Sequence, residues 1–434
     1  MTRPAVVGVD VGTGSARALA IGDDGTVLAR ASGTYPGRAS WPPGRADLAA
    51  WRAGVAEAIA GLGIERPVAL GIGSQSPTTV PLDGPLAVTV RHPAGSTGSP
   101  LEQHLAQRAV LAEEMGADEP PVAQLWDWLL ADLGAPLGQT RWPGDPDLPG
   151  YGPRRPTGSV AGEADGSWGV PAGTPLVGGA QDAYLAFWAG GTDVPGRGVD
   201  PGGRTGGLAV AVAHGSVPDD PYALSAAAVG VDLVGGPFAA HGLMLDWLAG
   251  VTGRTPAELA ELAGTVPPGA EGVLALPYLE GERAPRWNRQ LRAELVGLGS
   301  DHGPAHLARA VLEGTAYGLR HLVEALQARG IALEVLVVGG SPARSRTWCQ
   351  IKADVLEVPV EQPSEPDLTA YGAALAAGAG VGWWPAPGDG GPGSWPRPPH
   401  TLIEPRPDPA YHRGYRRFVD LGDAAVARLS KEQR

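Results

Sequence analysis

Residues 5–21 constrain the fold of this chain more than any other stretch. They run Ala5-Val6-Val7-Gly8-Val9-Asp10-Val11, then Gly12-Thr13-Gly14-Ser15, then Ala16-Arg17-Ala18-Leu19-Ala20-Ile21. Residues 5–9 are almost wholly apolar and rich in β-branched side chains, as in a central strand. Asp10 ends that run, Gly12 and Gly14 permit a tight turn, and residues 17–21 resume an apolar strand. Such a turn gathers backbone N–H groups, the Thr13 and Ser15 hydroxyls and the Arg17 guanidinium at one spot. That is a concavity for an anion, most naturally a phosphate. Asp10 beside it can hold Mg²⁺ directly or through water. The stretch is neither a Walker loop nor a dinucleotide fingerprint, and an ordinary glycine-rich hairpin with an exposed Asp stays open as the other reading.

At 434 residues the chain exceeds one core of usual size, so two domains are expected. Its 66 glycines and 44 prolines are spread among apolar runs, which reads as a loop-rich folded protein rather than a disordered one. A net charge of −13 argues against non-specific nucleic-acid binding. One cysteine, Cys349, excludes an internal disulfide framework and suits a reducing cytoplasm. No signal-peptide pattern opens the sequence, and the most membrane-like stretch, 370–384, is too short and too rich in Gly and Ala to span a bilayer. The expectation is a cytoplasmic protein with neither nucleic acid nor membrane as a partner.

Along the chain, residues 22–25 are a turn and 26–31 a third strand of a meander. Asp47 reads as the N-cap of a helix with Leu48, Trp51, Val55, Ile59 and Leu62 on one face. Residues 68–72 form a strand that ends in Gly73-Ser74-Gln75-Ser76-Pro77, and ligands of open α/β sheets sit beyond such carboxyl ends. Residues 93–100 read as a loop, 101–115 and 122–133 as helices, and 144–173 hold no recognisable element. Residues 176–179 form a strand followed by Ala180-Gln181-Asp182 and a short apolar helix. Asp182 is therefore either a helix N-cap or a catalytic carboxylate.

Gly198-Val199-Asp200 and the turn Arg204-Thr205-Gly206-Gly207 repeat the layout of the opening hairpin, so two related halves, each offering a phosphate cradle, are expected. Farther on, 272–278 is a strand, 304–329 a long helix, and 333–338 a strand leading through Gly339-Gly340-Ser341 into a helix at 345–355. A strand, two glycines and a helix start make a nucleotide or anion contact point. Residues 370–379 form a small-residue helix, 385–399 a connection, and 410–429 a terminal helix that docks on another surface.

These residues resemble the FGGY carbohydrate kinases, within the sugar kinase, heat-shock 70 and actin superfamily. The motifs are Gly281-Glu282-Arg283-Ala284-Pro285, Arg309-Ala310-Val311-Leu312-Glu313-Gly314, Tyr317-Gly318, Val338-Gly339-Gly340, Trp348, Gln350-Ile351-Lys352-Ala353-Asp354-Val355-Leu356 and Ala370-Tyr371-Gly372-Ala373-Ala374. The opening Asp10-Val11-Gly12-Thr13-Gly14-Ser15-Ala16-Arg17 falls on the first phosphate motif. The resemblance implies an α/β fold of two ribonuclease-H-like, actin-like ATPase domains with an interdomain active-site cleft. A sugar-binding domain would comprise 1–197 plus the C-terminal helix 405–434, shortened between about 88 and 170, and an ATP-binding domain 198–400.

It implies an ATP-dependent, Mg²⁺-requiring kinase of a small sugar or polyol, most plausibly a pentulose such as xylulose or ribulose, with a homodimer open as the assembly. Asp182 falls on the general base, Asp10 and Arg17 on the phosphate-facing catalytic groups, and Asp10 on the metal contact. Gly12, Thr13, Gly14, Ser15, Thr205, Gly207, Gly339, Gly340 and Arg344 fall on ATP- and phosphate-binding positions. Gln75, Ser76, Gln181 and Asp182 line the sugar side. The family's Trp-x-Asp-x-Arg sugar motif is absent, with Val88-Thr89-Val90-Arg91-His92 near its place. The usual Gly-Thr-Ser-Gly of the second phosphate turn is here Arg204-Thr205-Gly206-Gly207. These departures motivate a reading from another class, a nucleotide or sugar binder without turnover that acts through partners.

Overall fold

The opening hairpin forms because both its strands are buried and its turn is short. Val6–Val11 pairs antiparallel with Ser15–Ile21 in a register that sets Asp10 opposite Arg17. Val27–Thr34 extends this meander. On its other side Val6–Val11 runs parallel to Leu70–Ser74, which runs parallel to Pro175–Gln181, and Val160–Glu163 closes the sheet antiparallel. Every residue of Val6–Val11 and Leu70–Ser74 is buried, as in strands covered on both faces. The computed structural model describes residues 3–89, 100–216, 231–238 and 241–432.

Helices cover this first sheet, among them Leu48–Gly61, Leu125–Asp132 and Leu368–Gly380. Leu48–Gly61 starts at Asp47, whose carboxylate accepts from the Ala49 and Ala50 N–H groups at 2.8 and 3.1 Å. Leu368–Gly380 is built of small residues and lies directly on the central strands. A Cβ on Gly8 would stand 2.1 Å from the Ala374 backbone nitrogen, so only glycine admits that approach. A smaller sheet, in the order Arg45–Asp47, Leu86–Val88, Thr79–Pro81 and Val122–Gln124, adds to the same unit.

The second sheet repeats the first strand for strand. Arg197–Asp200, Gly207–Ala213 and Val231–Pro237 form an antiparallel meander. Arg197–Asp200 then runs parallel to Val335–Val338, which runs parallel to Val360–Pro363, and His400–Ile403 closes antiparallel. Identical pairing order in both sheets is the duplication that the two similar turns announce. Helices Pro304–Gln327 and Arg346–Leu356 pack with this sheet, the latter capped by the Ser345 hydroxyl.

Two local expectations change. Residues 122–124 are a strand, not the start of the helix, which covers only Leu125–Asp132, because Val122–Gln124 pairs with Thr79–Pro81. Cross-strand pairing overrides the apolar helical pattern there. Within 144–173, Arg154–Pro156 and Val160–Glu163 are short, half-exposed edge strands that carry no apolar alternation to read. Of the loop expected at residues 93–100, residues 93–99 lie outside the described residues, as do Val90, Arg91 and His92, and Pro100 opens the helix Pro100–Met115.

The partition into units also differs from the expected one. The described residues of Met1–Ala189 and Asp367–Pro398 form one unit. Those of Gly190–Leu224, Gly230–Pro366 and Pro399–Arg434 form the other. The terminal helix Pro409–Glu432 belongs to the second unit because Tyr411, Tyr415 and Phe418 bury their rings in the cluster of Tyr278 and Tyr317. Residues 367–398 belong to the first because the small-residue helix completes its sheet. Among the described residues no helix is long and apolar enough to cross a membrane.

Candidate active site

In the first unit three parallel strands deliver their carboxyl ends side by side; Asp10 is the last residue but one of the first, and Gln75 and Asp182 directly follow the other two. Val11 pairs with Ser74, Ser74 with Gln181, and the Gln75 N–H donates to the Val11 carbonyl at 3.0 Å. Asp10 is 6% exposed, and its Oδ2 lies 3.7 Å from an Arg17 guanidinium nitrogen. Arg17 also faces Asp367, with its Nε 3.6 Å from that carboxylate. Burial raises the Asp10 carboxyl from its ordinary 3.8 to about 7; Arg17 opposes the rise, and the Asp182 and Asp367 charges add to it.

Asp182 opens the helix Asp182–Gly190, and its Oδ1 accepts from the adjacent Ala183 N–H at 2.8 Å. That bond to the very next residue is not the N2 or N3 bond of a helix cap. The bond fixes one oxygen of the carboxylate. The Asp182 carbonyl accepts from the Thr369 hydroxyl at 3.1 Å, which ties this strand end to the small-residue helix.

The turn of residues 12–14 is braced from one side. The Tyr35 hydroxyl donates to the Gly12 carbonyl at 3.1 Å and Arg38 Nε to the Thr13 carbonyl at 2.7 Å. Carbonyl oxygens that would repel an anion are thereby engaged. Neither Gly12 nor Gly14 takes a positive φ, so glycine is not required for backbone freedom as the sequence implies. A Cβ on Gly14 would meet nothing within 4 Å, and glycine there leaves open approach to the turn. Ser15 begins the second strand.

Asp10 also bears on metal binding. Its Oδ1 is buried without a hydrogen-bond partner among the described residues. No three His, Cys, Asp or Glu side chains there cluster into a metal cage. One orphan carboxylate oxygen amid further negative charge fits a divalent cation that keeps most of its ligands as water and phosphate.

Ser76 and Gln181 line a small cavity in the same unit together with His104, Trp126, Arg141 and Trp142. His104 is neutral there: burial, helped by the Arg141 charge, lowers its pKa to about 3. Its Nδ1 lies 3.2 Å from Thr79 Oγ1, and Gln124 Nε2 reaches its Nε2 at 3.5 Å.

In the second unit the strand end equivalent to Asp10 is Asp200, wholly buried. It is ion-paired and hydrogen-bonded to Lys352, also wholly buried, and accepts from the Gly202 N–H at 2.9 Å. Burial opposes ionisation of Asp200, but the adjacent His241 and Lys352 favour it and hold the carboxyl well below its usual range. Burial lowers the proton affinity of His241 itself.

The turn after Asp200 and the Gly339-Gly340 corner are packed together. A Cβ on Gly202 would stand 2.2 Å from the Gly339 carbonyl, and one on Gly340 2.8 Å from the Gly203 nitrogen. Thr205 and Gly207 follow on this turn, Gly207 opening its strand. Arg344 ends the single helical turn Gly340–Ala343. Arg204 is half-exposed and faces Asp246 at 3.5 Å.

The structure thus brings Asp10, Arg17, Gln75 and Asp182 to one end of the first sheet, and Gly339, Gly340 and the 202–207 turn to one end of the second. Sequence reasoning missed Asp367, which touches Arg17 but begins a helix distant in the chain. It missed Arg141, Trp126 and Trp142 as well, since an Arg and two Trp on separate short elements carry no spacing. The one available signal was the isolated Arg141-Trp142 pair in an otherwise Pro- and Gly-rich run.

Residues 225–381 match the C-terminal domain of the FGGY family of carbohydrate kinases. A xylulose kinase of Staphylococcus epidermidis is 34% identical over 171 residues, 39% of this chain and 32% of that protein. A glycerol kinase of Gloeobacter violaceus is 42% identical over 146 residues, 33% of this chain and 29% of that protein. The match therefore spans about a third of the length of these curated relatives. In fold the likeness is far longer. The xylulose kinase from Rhodospirillum rubrum superposes with a TM-score of 0.71 at 27% identity, over 98% of this chain and 99% of that one. A gluconate kinase from Lactobacillus acidophilus gives 0.73 at 18%, over 99% and 100%. The chain is thus similar to the FGGY family of carbohydrate kinases in sequence through residues 225–381, and its two-domain fold matches solved sugar kinases over almost its whole length.

Proposed function

We propose that the protein transfers the γ-phosphoryl group of ATP to a hydroxyl of a small sugar or polyol, a pentulose such as xylulose or ribulose being the favoured acceptor. The observation that carries this is the gathering of Asp10, Arg17 and Asp182 at one end of the first sheet. A sugar hydroxyl is a poor nucleophile, and Asp182, with one oxygen fixed by the Ala183 N–H, orients it and takes its proton late in transfer. Phosphoryl transfer otherwise needs alignment and charge neutralisation more than covalent chemistry. Arg17 and the amides of the 12–15 turn supply positive charge toward the transferring group. Mg²⁺, when bound with nucleotide beside Asp10, would neutralise phosphate charge. Thr205, Gly207, Gly339, Gly340 and Arg344 are the residues assigned to the nucleotide.

The pentulose reading rests on the xylulose kinases among the relatives; glycerol and gluconate kinases stand beside them. Coupled measurement of ADP release against ketoses, polyols and sugar acids tests it. Sugar-dependent turnover is expected with Mg²⁺. Nucleotide-dependent thermal stabilisation without any phosphorylated product would instead favour a binder that acts through partners.

A further inference from the structure

The small-residue helix Leu368–Gly380 is locked by close backbone approach onto the elements that carry the site. A Cβ on Gly8 would meet the Ala374 nitrogen at 2.1 Å and one on Gly71 the Ala373 carbonyl at 2.3 Å, which fixes the helix on the strands leading to Asp10 and Gln75. A Cβ on Gly372 would stand 2.2 Å from the Leu185 carbonyl, which fixes it on the helix that Asp182 opens. Support this close leaves the start of the helix little room to drift.

Asp367 stands at the N-cap of this helix and does not cap it. Asp47 shows the ordinary behaviour in the same unit: its ψ is 122° and its carboxylate accepts from two N–H groups of the first turn. Asp367 has a ψ of 63°, and its side chain makes no cap hydrogen bond. An aspartate that gives up its cap forgoes a stabilising contact. Its carboxylate, 12% exposed, instead faces Arg17 Nε at 3.6 Å, while Asp10 faces Nη1 of the same guanidinium at 3.7 Å. Two residues on, the Thr369 hydroxyl donates to the Asp182 carbonyl at 3.1 Å.

We propose that the first turn of this helix is a positioning element for catalysis: Asp367 holds the Arg17 guanidinium in its working orientation, and Thr369 fixes the strand end that carries Asp182. An arginine side chain 43% exposed would otherwise spread over many rotamers, and ordering it at the moment of reaction would cost rate. One carboxylate restrains a guanidinium in one direction; a second, on a different nitrogen, fixes the plane of the group as well. The inference rests on the kinase reading for what Arg17 and Asp182 do, and adds two positioning residues that act through them.

The test uses the full-length protein and the acceptor that gives the fastest ADP release. Asp367→Asn keeps the size of the side chain and removes its charge. It is expected to lower kcat about tenfold, with the KM for ATP changed less than about twofold and the thermal midpoint retained. A lower KM for ATP at unchanged kcat would show a carboxylate that only repels phosphate, and would overturn the proposal. In an Arg17→Gln background, where no guanidinium remains to be held, Asp367→Asn is expected to cost less than about twofold further; equal losses in both backgrounds would overturn it too. Thr369→Val is expected to lower kcat several-fold in the wild type and not in the Asp182→Asn background, and an unchanged kcat would remove Thr369 from the proposal. The Arg17 Nε–H resonance, recorded with arginine carrying the heavy nitrogen isotope and assigned by its loss in Arg17→Lys, reads the contact without turnover. It is expected to shift and to exchange faster with water in Asp367→Asn, and an unmoved resonance would overturn the proposal even in an active enzyme. A shifted resonance in a protein inert toward every acceptor would instead sink the kinase reading and leave the anchoring of Arg17 standing.

Discussion

Asp10 is held in a setting that disfavours its charge, and replacing it with asparagine separates stability from function. Its carboxyl is raised from 3.8 to about 7, by burial first and by the Asp182 and Asp367 charges next, against the pull of Arg17. At roughly 1.4 kcal/mol per pKa unit, ionising Asp10 in the folded protein costs about 4 kcal/mol more than in the unfolded chain. The folded state therefore binds the Asp10 proton more tightly than the unfolded state does. The penalty is absent below about pH 4, grows as pH rises between about 4 and 7, and is complete above about 7. Asp10→Asn removes the titration while keeping the shape. The variant should be more stable than wild type at pH 8.5 by a few kcal/mol and near parity at pH 4.5. The assay is the difference in urea midpoint between variant and wild type across that range, in which the titrations of other groups largely cancel. Sugar-dependent ADP release should meanwhile fall by about 10² or more. A difference that stays flat with pH, or a variant less stable at pH 8.5, would refute the reasoning.

Asp182→Asn should lower sugar-dependent ADP release by about 10²–10⁴ with circular dichroism and nucleotide affinity retained, the size expected for loss of a general base. Lys352→Met leaves Asp200 buried without its cation and should cost about 3–5 kcal/mol; Asp200→Asn in the same chain should recover most of that in a denaturation series. Gly8→Ala drives a methyl to 2.1 Å from the Ala374 nitrogen and should yield little folded protein in a solubility assay, whereas Gly14→Ala meets nothing within 4 Å and should fold with unchanged thermal midpoint. If the turn approaches phosphate closely, Gly14→Ala should still raise the KM for ATP several-fold.

Much of this was legible from local pattern. The hairpin and its Asp10–Arg17 juxtaposition follow from the length of the turn and the two-residue period of the strands. The Asp47 cap follows from a polar residue placed just before a helical apolar face. The duplicated sheet showed only through Gly198-Val199-Asp200 set against Gly8-Val9-Asp10, yet the strand pairings repeat in full. What escaped depends on contacts far apart in the chain. The apolar face of the last helix was readable, but not that Tyr411, Tyr415 and Phe418 would meet Tyr278 and Tyr317 and so join the second unit. Asp367 is one acidic residue before a run of alanines, and only the fold brings it to Arg17. Residues 122–124 looked helical because burial makes short paired strands and buried helices alike in letters.

The two copies of the strand-and-turn unit diverge at the one residue where divergence has chemical meaning. Both first strands carry an aspartate at the last or last-but-one position, and both aspartates are almost inaccessible. In the first unit the carboxylate faces a half-exposed arginine and two further carboxylates, and is left with an oxygen unpartnered among the described residues and a pKa raised to about 7. In the second, Lys352 quenches it inside the core, and Gly202 takes one of its oxygens. A free carboxylate beside a glycine turn would repel the phosphates that such a turn attracts, whereas a neutralised one steadies the turn and leaves its amides to act. The unit assigned to nucleotide thus carries the silenced aspartate, and the unit assigned to acceptor and catalysis carries the strained one. Exchanging the two environments, rather than the two residues, is what would exchange the roles.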